Sequence, residues 1–195
     1  LGIPAMVMAD GPAGLRISAR RDSCPRTFYC TAFPVATLLA STWNTDLVQQ
    51  VGQAMGNEVL EYGCDILLAP ALNIHRNPLC GRNFEYYSED PYLAGKLAAG
   101  FIRGVQSQGV SACAKHFAVN SQELQRMASD SVLDERTLRE LYLTNFEIAV
   151  KEGKPKAIMT SYNKVNGTYA NENAHLYDIL RREWDFDGMV VTDWG

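Results

Sequence analysis

Short apolar runs and longer amphipathic stretches alternate from one end of the chain to the other. Six of the runs read as strands: Met6 to Ala9, Phe33 to Leu39, Ile66 to Ala69, Ser111 to Lys115, Ala157 to Ser161 and Gly188 to Thr192. Between them the apolar positions step by three and four. Val48, Val51, Met55, Val59 and Tyr62 share one helical face, and Asp90-Pro91 supplies an N-cap and first-turn proline for a helix that runs to about Gln108 and stops at Gly109. From Asp134 to Glu152, the residues Leu138, Leu141, Tyr142, Ile148 and Ala149 line one side before Gly153 and Pro155 end the pattern, and a shorter helix runs from about Ala174 to Trp184. Alternation repeated this often predicts an α/β protein built on a parallel sheet.

Unusual polar residues fall at or just past the carboxyl ends of the expected strands: Asp10, Lys115 with His116, Tyr162 and Asp193. In a doubly wound sheet ligands gather at one switch point, whereas in a barrel every strand end opens onto a single face, so this distribution favours the barrel. A complete barrel takes ~250 residues, and six strands in 195 residues fall short of it. The expected fold class is therefore α/β, a (β/α)8 TIM-barrel-type domain incomplete in this chain, which reads as a piece of a longer protein. Long irregular stretches follow three of the strands, at about Gly11 to Thr31, Pro70 to Glu89 and Phe117 to Leu133, and loops of that length in a compact domain are usually functional.

Composition adds exclusions. With 47% hydrophobic and 21% charged residues the chain is ordinary globular protein, and its net charge of −4 comes without a basic stripe, which argues against a nucleic-acid partner. No apolar run approaches the ~20 residues of a membrane span and no signal peptide opens the chain, so no membrane partner is expected. The opening Leu1-Gly2-Ile3-Pro4 does not look like a native start. The five cysteines, Cys24, Cys30, Cys64, Cys80 and Cys113, match no zinc or CxxC spacing and read as core or loop thiols, although Cys24 and Cys30 flank a Pro-containing loop that permits pairing in an oxidising compartment. His75, His116 and His175 lie far apart without i,i+4 partners, so neither a metal nor another cofactor is expected.

The candidate chemistry starts at the last strand. The β-branched run Val190-Val191-Thr192 delivers Asp193 to a strand end with Trp194 beside it; the bland alternative is a helix N-cap or a turn aspartate. Ser111-Ala112-Cys113-Ala114 reads as a buried strand with Lys115 and His116 at its tip, where a lone Lys is usually solvated and a lone His usually a satisfied core residue. As a pair opposite a carboxylate strand end they point to a polyol-binding site. In the loop from Gly81 to Pro91, Glu85, Glu89 and Asp90 read as structural, pairing with Arg82 or leading into the next helix, while the guanidinium fork of Arg82 suits vicinal hydroxyls or carboxylates.

Five motifs in order, Asp10-Gly11-Pro12-Ala13-Gly14-Leu15-Arg16, Gly81-Arg82-Asn83-Phe84-Glu85, Lys115-His116-Phe117, Met159-Thr160-Ser161-Tyr162-Asn163 with Asn166-Gly167, and Val191-Thr192-Asp193-Trp194-Gly195, resemble the motif series of glycoside hydrolase family 3, in particular its β-glucosidase branch, over essentially all 195 residues. The resemblance implies an N-terminal barrel followed by an α/β sandwich domain that is absent here, and retaining hydrolysis of terminal, non-reducing β-linked sugars in β-linked oligosaccharides or aryl and alkyl β-glucosides. It implies Asp193 as the nucleophile. Asp10, Arg82, Lys115 and His116 would bind hydroxyls of the terminal sugar, Arg16 and Arg126 would order the pocket, Met159 and Tyr162 would flank the nucleophile, and Trp194 would stack on the ring. The general acid/base would be a Glu of the second domain, so residues 1 to 195 alone are expected to be inactive and poorly stable. Where the N-acetylglucosaminidase branch carries a Pro-Gly-His-Gly turn after its Lys-His pair, this chain has Phe117-Ala118-Val119-Asn120. Two other readings compete: a Schiff-base aldolase using the Lys115 amine with His116 as proton shuttle, and a carbohydrate-binding fragment without catalysis.

Overall fold

The computed structural model describes residues 2 to 194; Leu1 and Gly195, the latter closing the Thr-Asp-Trp-Gly motif, lie outside the described residues. Five strands run parallel in one sheet: β1 (Met8–Asp10), β2 (Ile66–Leu68), β3 (Ser111–Phe117), β5 (Ala157–Thr160) and β8 (Met189–Thr192). Three short strands form a second sheet, β4 (Asp130–Ser131), β6 (Lys164–Val165) and β7 (Thr168–Tyr169). The helices are α1 (Ala36–Ala40), α2 (Thr45–Glu61), α3 (Pro91–Gln106), a continuous helix over 135–153 that mixes α and π turns, and a shorter one over 174–183.

The order β1-β2-β3-β5-β8 follows the chain without reversal. A doubly wound sheet would reverse at a switch point; winding in one direction with a helical crossover after each strand is the barrel scheme. The chain therefore forms an arc of a barrel, incomplete as its length predicts. Register holds each step, with Met8 opposite Ile66, Leu67 opposite Ala112, Ala114 opposite Ile158 and Ile158 opposite Val190.

One expected strand is absent. Phe33 to Leu39 enters α1 instead, with Val35 as its extended N-cap and Ala36, Leu39 and Ala40 buried at helical spacing. A short apolar run fits either element by periodicity, but Pro34 lacks the N–H that an interior strand must donate, and Ala and Leu favour the helix. The sheet thus has five strands where the apolar pattern suggested six.

Alternation along each strand separates two cores. Leu67, Ala112, Ala114 and Ile158 pack with Val48, Met55 and Val59 of α2 and with Leu97, Phe101 and Ile102 of α3. Ile66, Leu68, Cys113, Ala157 and Met159 turn to the opposite face with Met8, Met189 and Val191. The helices outside pack closely because glycine lines their crossing: a Cβ on Gly104 would lie 2.1 Å from the Gln49 carbonyl oxygen, and one on Gly52 2.5 Å from that of Phe101. Asp90 caps α3, accepting from the backbone N–H of Tyr92 at 2.8 Å, as its Asp-Pro start predicts.

Candidate active site

The same alternation that builds the inner core places the chemistry. Met8 and Asp10, Cys113 and Lys115, Ala157 and Met159, Val191 and Asp193 each step by two, so the polar members continue the inner row toward the carboxyl ends of the strands, Asp10 and Lys115 within β1 and β3 and Asp193 just past β8. His116 breaks the step. A register irregularity between Lys115 and Phe117 leaves His116 as an extra residue on β3, and a bulge of this kind re-aims a side chain. Lys115 and His116 consequently both reach one cavity.

That cavity encloses about 500 Å³ and is lined by Asp10, Arg16, Arg82, Lys115, His116, Arg126, Met159, Tyr162, Asp193 and Trp194, together with Met8 and Leu68. The residues named from the sequence are thus brought together, and none lies elsewhere. Lys115, whose side chain is only 4% exposed, donates to Oδ1 of Asp10 at 2.5 Å, while Arg16 at the rim stands 3.4 Å from Oδ2. Arg82 is ion-paired to Glu85. Burial works against the charged form of Arg82, but Tyr86, Glu85 and Glu123 around it raise its pKa overall. Arg126 donates to Glu123 at 2.7 Å and lies 4.7 Å over the Tyr162 ring.

Asp193 holds its Oδ1 against the backbone N–H of Trp194 at 2.8 Å. Its Oδ2 is buried without a hydrogen-bond partner and faces Nε2 of His116 at 3.6 Å. Tyr162 donates to the Trp194 carbonyl, and burial followed by the Asp193 carboxylate raises the Tyr162 pKa, so its hydroxyl keeps its proton. Burial, reinforced by Arg82, Lys115 and Arg126, holds His116 well below its ordinary value of 6.5, so the imidazole is neutral. Beneath the cavity, burial pushes the Cys113 thiol up to about 12, which makes it an inert core group.

The depressed His116 value carries a sign. Below its ordinary value the unfolded chain takes up a proton that the folded one refuses, so stability is present above about pH 6.5 and falls as pH drops below it. Melting temperature should decline on acidification through that window, and His116→Gln should flatten the slope; an unchanged slope would show that His116 is not buried as a neutral group.

Four supporting residues were not singled out from the sequence: Asn73, Tyr86, Asn120 and Glu123. Asn73 brackets His116, accepting from its N–H at 2.8 Å and donating to its carbonyl at 2.9 Å. Only the density of aromatics between Gly81 and Pro91 hinted at Tyr86. The Asn166-Gly167 pair is a legible hairpin signal: both residues have positive φ, 50° and 89°, and they turn β6 into β7, which with β4 clamps the loop after β3. His75 and His175 are engaged elsewhere, with the Tyr86 carbonyl and with Glu135. All five cysteines are free thiols, and no group of three metal-ligating side chains occurs among the described residues.

A cavity walled by fixed donors and acceptors on an apolar floor, with one carboxylate oxygen left without a hydrogen-bond partner, suits a neutral polyhydroxy ligand better than an ion. Comparison with known proteins decides the family. The model of the glycosyl hydrolase family 3 N terminal domain matches residues 1–195. The chain belongs to glycosyl hydrolase family 3. Over its whole length it is 53% identical to thermostable beta-glucosidase B of Acetivibrio thermocellus, and 47% identical to an exo-alpha-(1->6)-L-arabinopyranosidase of Bifidobacterium longum, covering 26% of each. The solved structure of beta-glucosidase 3B from Thermotoga neapolitana in complex with alpha-D-glucose superposes with a TM-score of 0.97 at 60% identity, covering 99% of this chain and 27% of that one. The chain thus spans about a quarter of the length of these family 3 relatives.

Proposed function

We propose that the protein containing this chain is a retaining β-glycosidase, with β-glucosides as its leading substrate class, and that Asp193 is its nucleophile. The observation that carries the reading is the Asp193 carboxylate at the tip of β8, with a buried oxygen lacking any hydrogen-bond partner, in a cavity otherwise furnished for hydroxyls. The names of the beta-glucosidase relatives support the class, whereas the arabinopyranosidase is named for a different terminal sugar and an alpha linkage.

In the proposed cycle an Asp193 oxygen attacks the anomeric carbon as the glycosidic bond breaks, and an acid protonates the departing oxygen. The resulting glycosyl ester is then attacked by water, which loses a proton to the same acid/base group, releasing sugar with the starting configuration and freeing Asp193. Retention requires two carboxyl groups about 5 to 5.5 Å apart. Asp10, the other carboxylate in the cavity, is tied to Lys115 and Arg16. We assign the acid/base to a Glu of a second, C-terminal domain of the same protein, so residues 1 to 195 alone should not turn over.

The Asp10–Lys115 pair also bears on the aldolase reading, which needs a free amine on Lys115 rather than an ammonium held at 2.5 Å by a carboxylate. The test is trapping. The whole protein treated with an activated 2-fluoro-β-glucoside should be inactivated with one label on the peptide carrying Asp193, and early product should be the β anomer. Label on another residue, or an α product, removes Asp193 from this role; sugar binding without turnover identifies a binding protein; borohydride-trapped carbonyl on Lys115 identifies the aldolase.

A further inference from the structure

Behind the cavity wall lies a row of buried polar groups that the proposed reaction does not use. Tyr86 is fully buried and its hydroxyl stands 3.3 Å from Nδ1 of His116. The Asn120 amide nitrogen lies 3.2 Å from that hydroxyl and 3.1 Å from Oε1 of Glu123, whose other oxygen accepts from Arg126 at 2.7 Å. A carboxylate accepts only, so the Asn120 group facing Glu123 must be its NH₂. The second hydrogen of that NH₂ goes to the Tyr86 oxygen, and Nδ1 of His116 is the other partner of that hydroxyl among the described residues, so the Tyr86 proton goes to Nδ1 rather than staying buried and unpaired. A neutral imidazole with Nδ1 accepting carries its one proton on Nε2.

We propose that Tyr86 is a positioning residue that, oriented by Asn120 and Glu123, fixes His116 in the tautomer with its proton on Nε2 and so turns an N–H toward Oδ2 of Asp193. At 3.6 Å the pair is longer than a hydrogen bond, but the N–H dipole still attracts the carboxylate, whereas the other tautomer would aim a lone pair at it. The charged groups around His116 are Arg82, Lys115, Arg126 and Asp193. None of them competes for Nδ1, where Tyr86 is the hydrogen-bond partner found among the described residues. Together with the Trp194 N–H on Oδ1, this leaves Asp193 with an N–H facing each oxygen, which locks its rotation. What that orientation does for catalysis rests on Asp193 being the nucleophile.

The test reads the tautomer directly. In the whole protein labelled with [15N]histidine, long-range proton–nitrogen correlation spectra should show the proton of His116 on Nε2, the His116 signals being identified by their loss in His116→Gln. Tyr86→Phe keeps the ring and removes only the hydroxyl, and it should move the population toward the Nδ1–H form. The same variant should lower kcat on an aryl β-glucoside about ten-fold with little change in KM, the size of a lost supporting hydrogen bond. A proton on Nδ1 in the unsubstituted protein, or a tautomer unmoved by Tyr86→Phe, overturns the proposal. Because the spectra need no turnover, a correct tautomer in a protein that hydrolyses no glycoside would count against the proposed function alone.

Discussion

Asp193→Ala in the whole protein is expected to lower kcat on an aryl β-glucoside by about four orders of magnitude, roughly 5 kcal/mol of transition-state stabilisation, while leaving the fold intact. The physical reason is the covalent step: without a carboxylate at the tip of β8, no group replaces the partial bond to the anomeric carbon. Asp193 follows the last residue of its strand and belongs to neither apolar core, so truncation of its mostly enclosed side chain removes a polar wall of the cavity rather than core packing. It leaves instead a space beside Nε2 of His116 and the Trp194 N–H that a small anion can enter. Added azide or formate should restore part of the turnover, and because the anion attacks from the face that Asp193 used, the rescued product should be the α anomer. Product analysis by NMR separates this from a trace of unsubstituted enzyme, which gives the β anomer. A near-normal rate in the absence of added anion would end the case for Asp193 as nucleophile.

The second large effect should come from the Asp10–Lys115 pair. Asp10→Asn and Lys115→Met should each lower kcat/KM by about two to four orders of magnitude, since a site built to pair hydroxyls leaves polar groups unmatched when one partner goes. Their effects on stability should differ. The Lys115 side chain is 4% exposed and that of Asp10 39%. Lys115→Met puts an apolar chain into a mostly enclosed position and leaves a carboxylate that water still reaches. Asp10→Asn strands an enclosed ammonium beside a neutral amide, the more costly arrangement. Thermal melting of the two variants should therefore rank Asp10→Asn as the less stable. Wild-type kinetics in both would mean that the cavity is not where the sugar binds.

Much of this site was legible because a barrel gathers its polar groups at the carboxyl ends of its strands: Asp10, Lys115 and Asp193 each close an apolar run in the sequence. The period of two that sets Met8, Cys113, Met159 and Val191 in one inward row beneath them emerged only with the sheet. The helical stretches were legible from their long amphipathic periods and a marked start at Asp90-Pro91. Phe33 to Leu39 was misread because seven apolar-rich residues are too few to separate the two periods, and the weight of Pro34 against a strand was missed. The Tyr86, Asn120 and Glu123 row lay beyond sequence reasoning for a different cause. Its members come from two long loops, and what joins them is the way β2, β3 and the β4–β6–β7 sheet hold those loops, a tertiary fact with no local period to betray it. His116 stood between these cases: its residue type drew notice, but the bulge that turns it inward is a property of how β3 pairs with β5.

The pairing of Asp10 with Leu68 and of Lys115 with Met159 ties the cavity to the sliding of strands past one another. A slip of β1 by one residue would swing Asp10 from the inner face to the helix side and break its contact with Lys115, 105 positions along the chain. Each of the five strands supplies a group to one small space, Leu68 coming from β2 and Asp193 from just past β8, so the cavity exists only for the alignment in which all five agree. A molecule that fits it binds that alignment and no other, and its binding free energy is added to the preference for correct strand pairing. The pocket is in that sense a checksum on the sheet, closing only when every strand has been set against its neighbour in the right place.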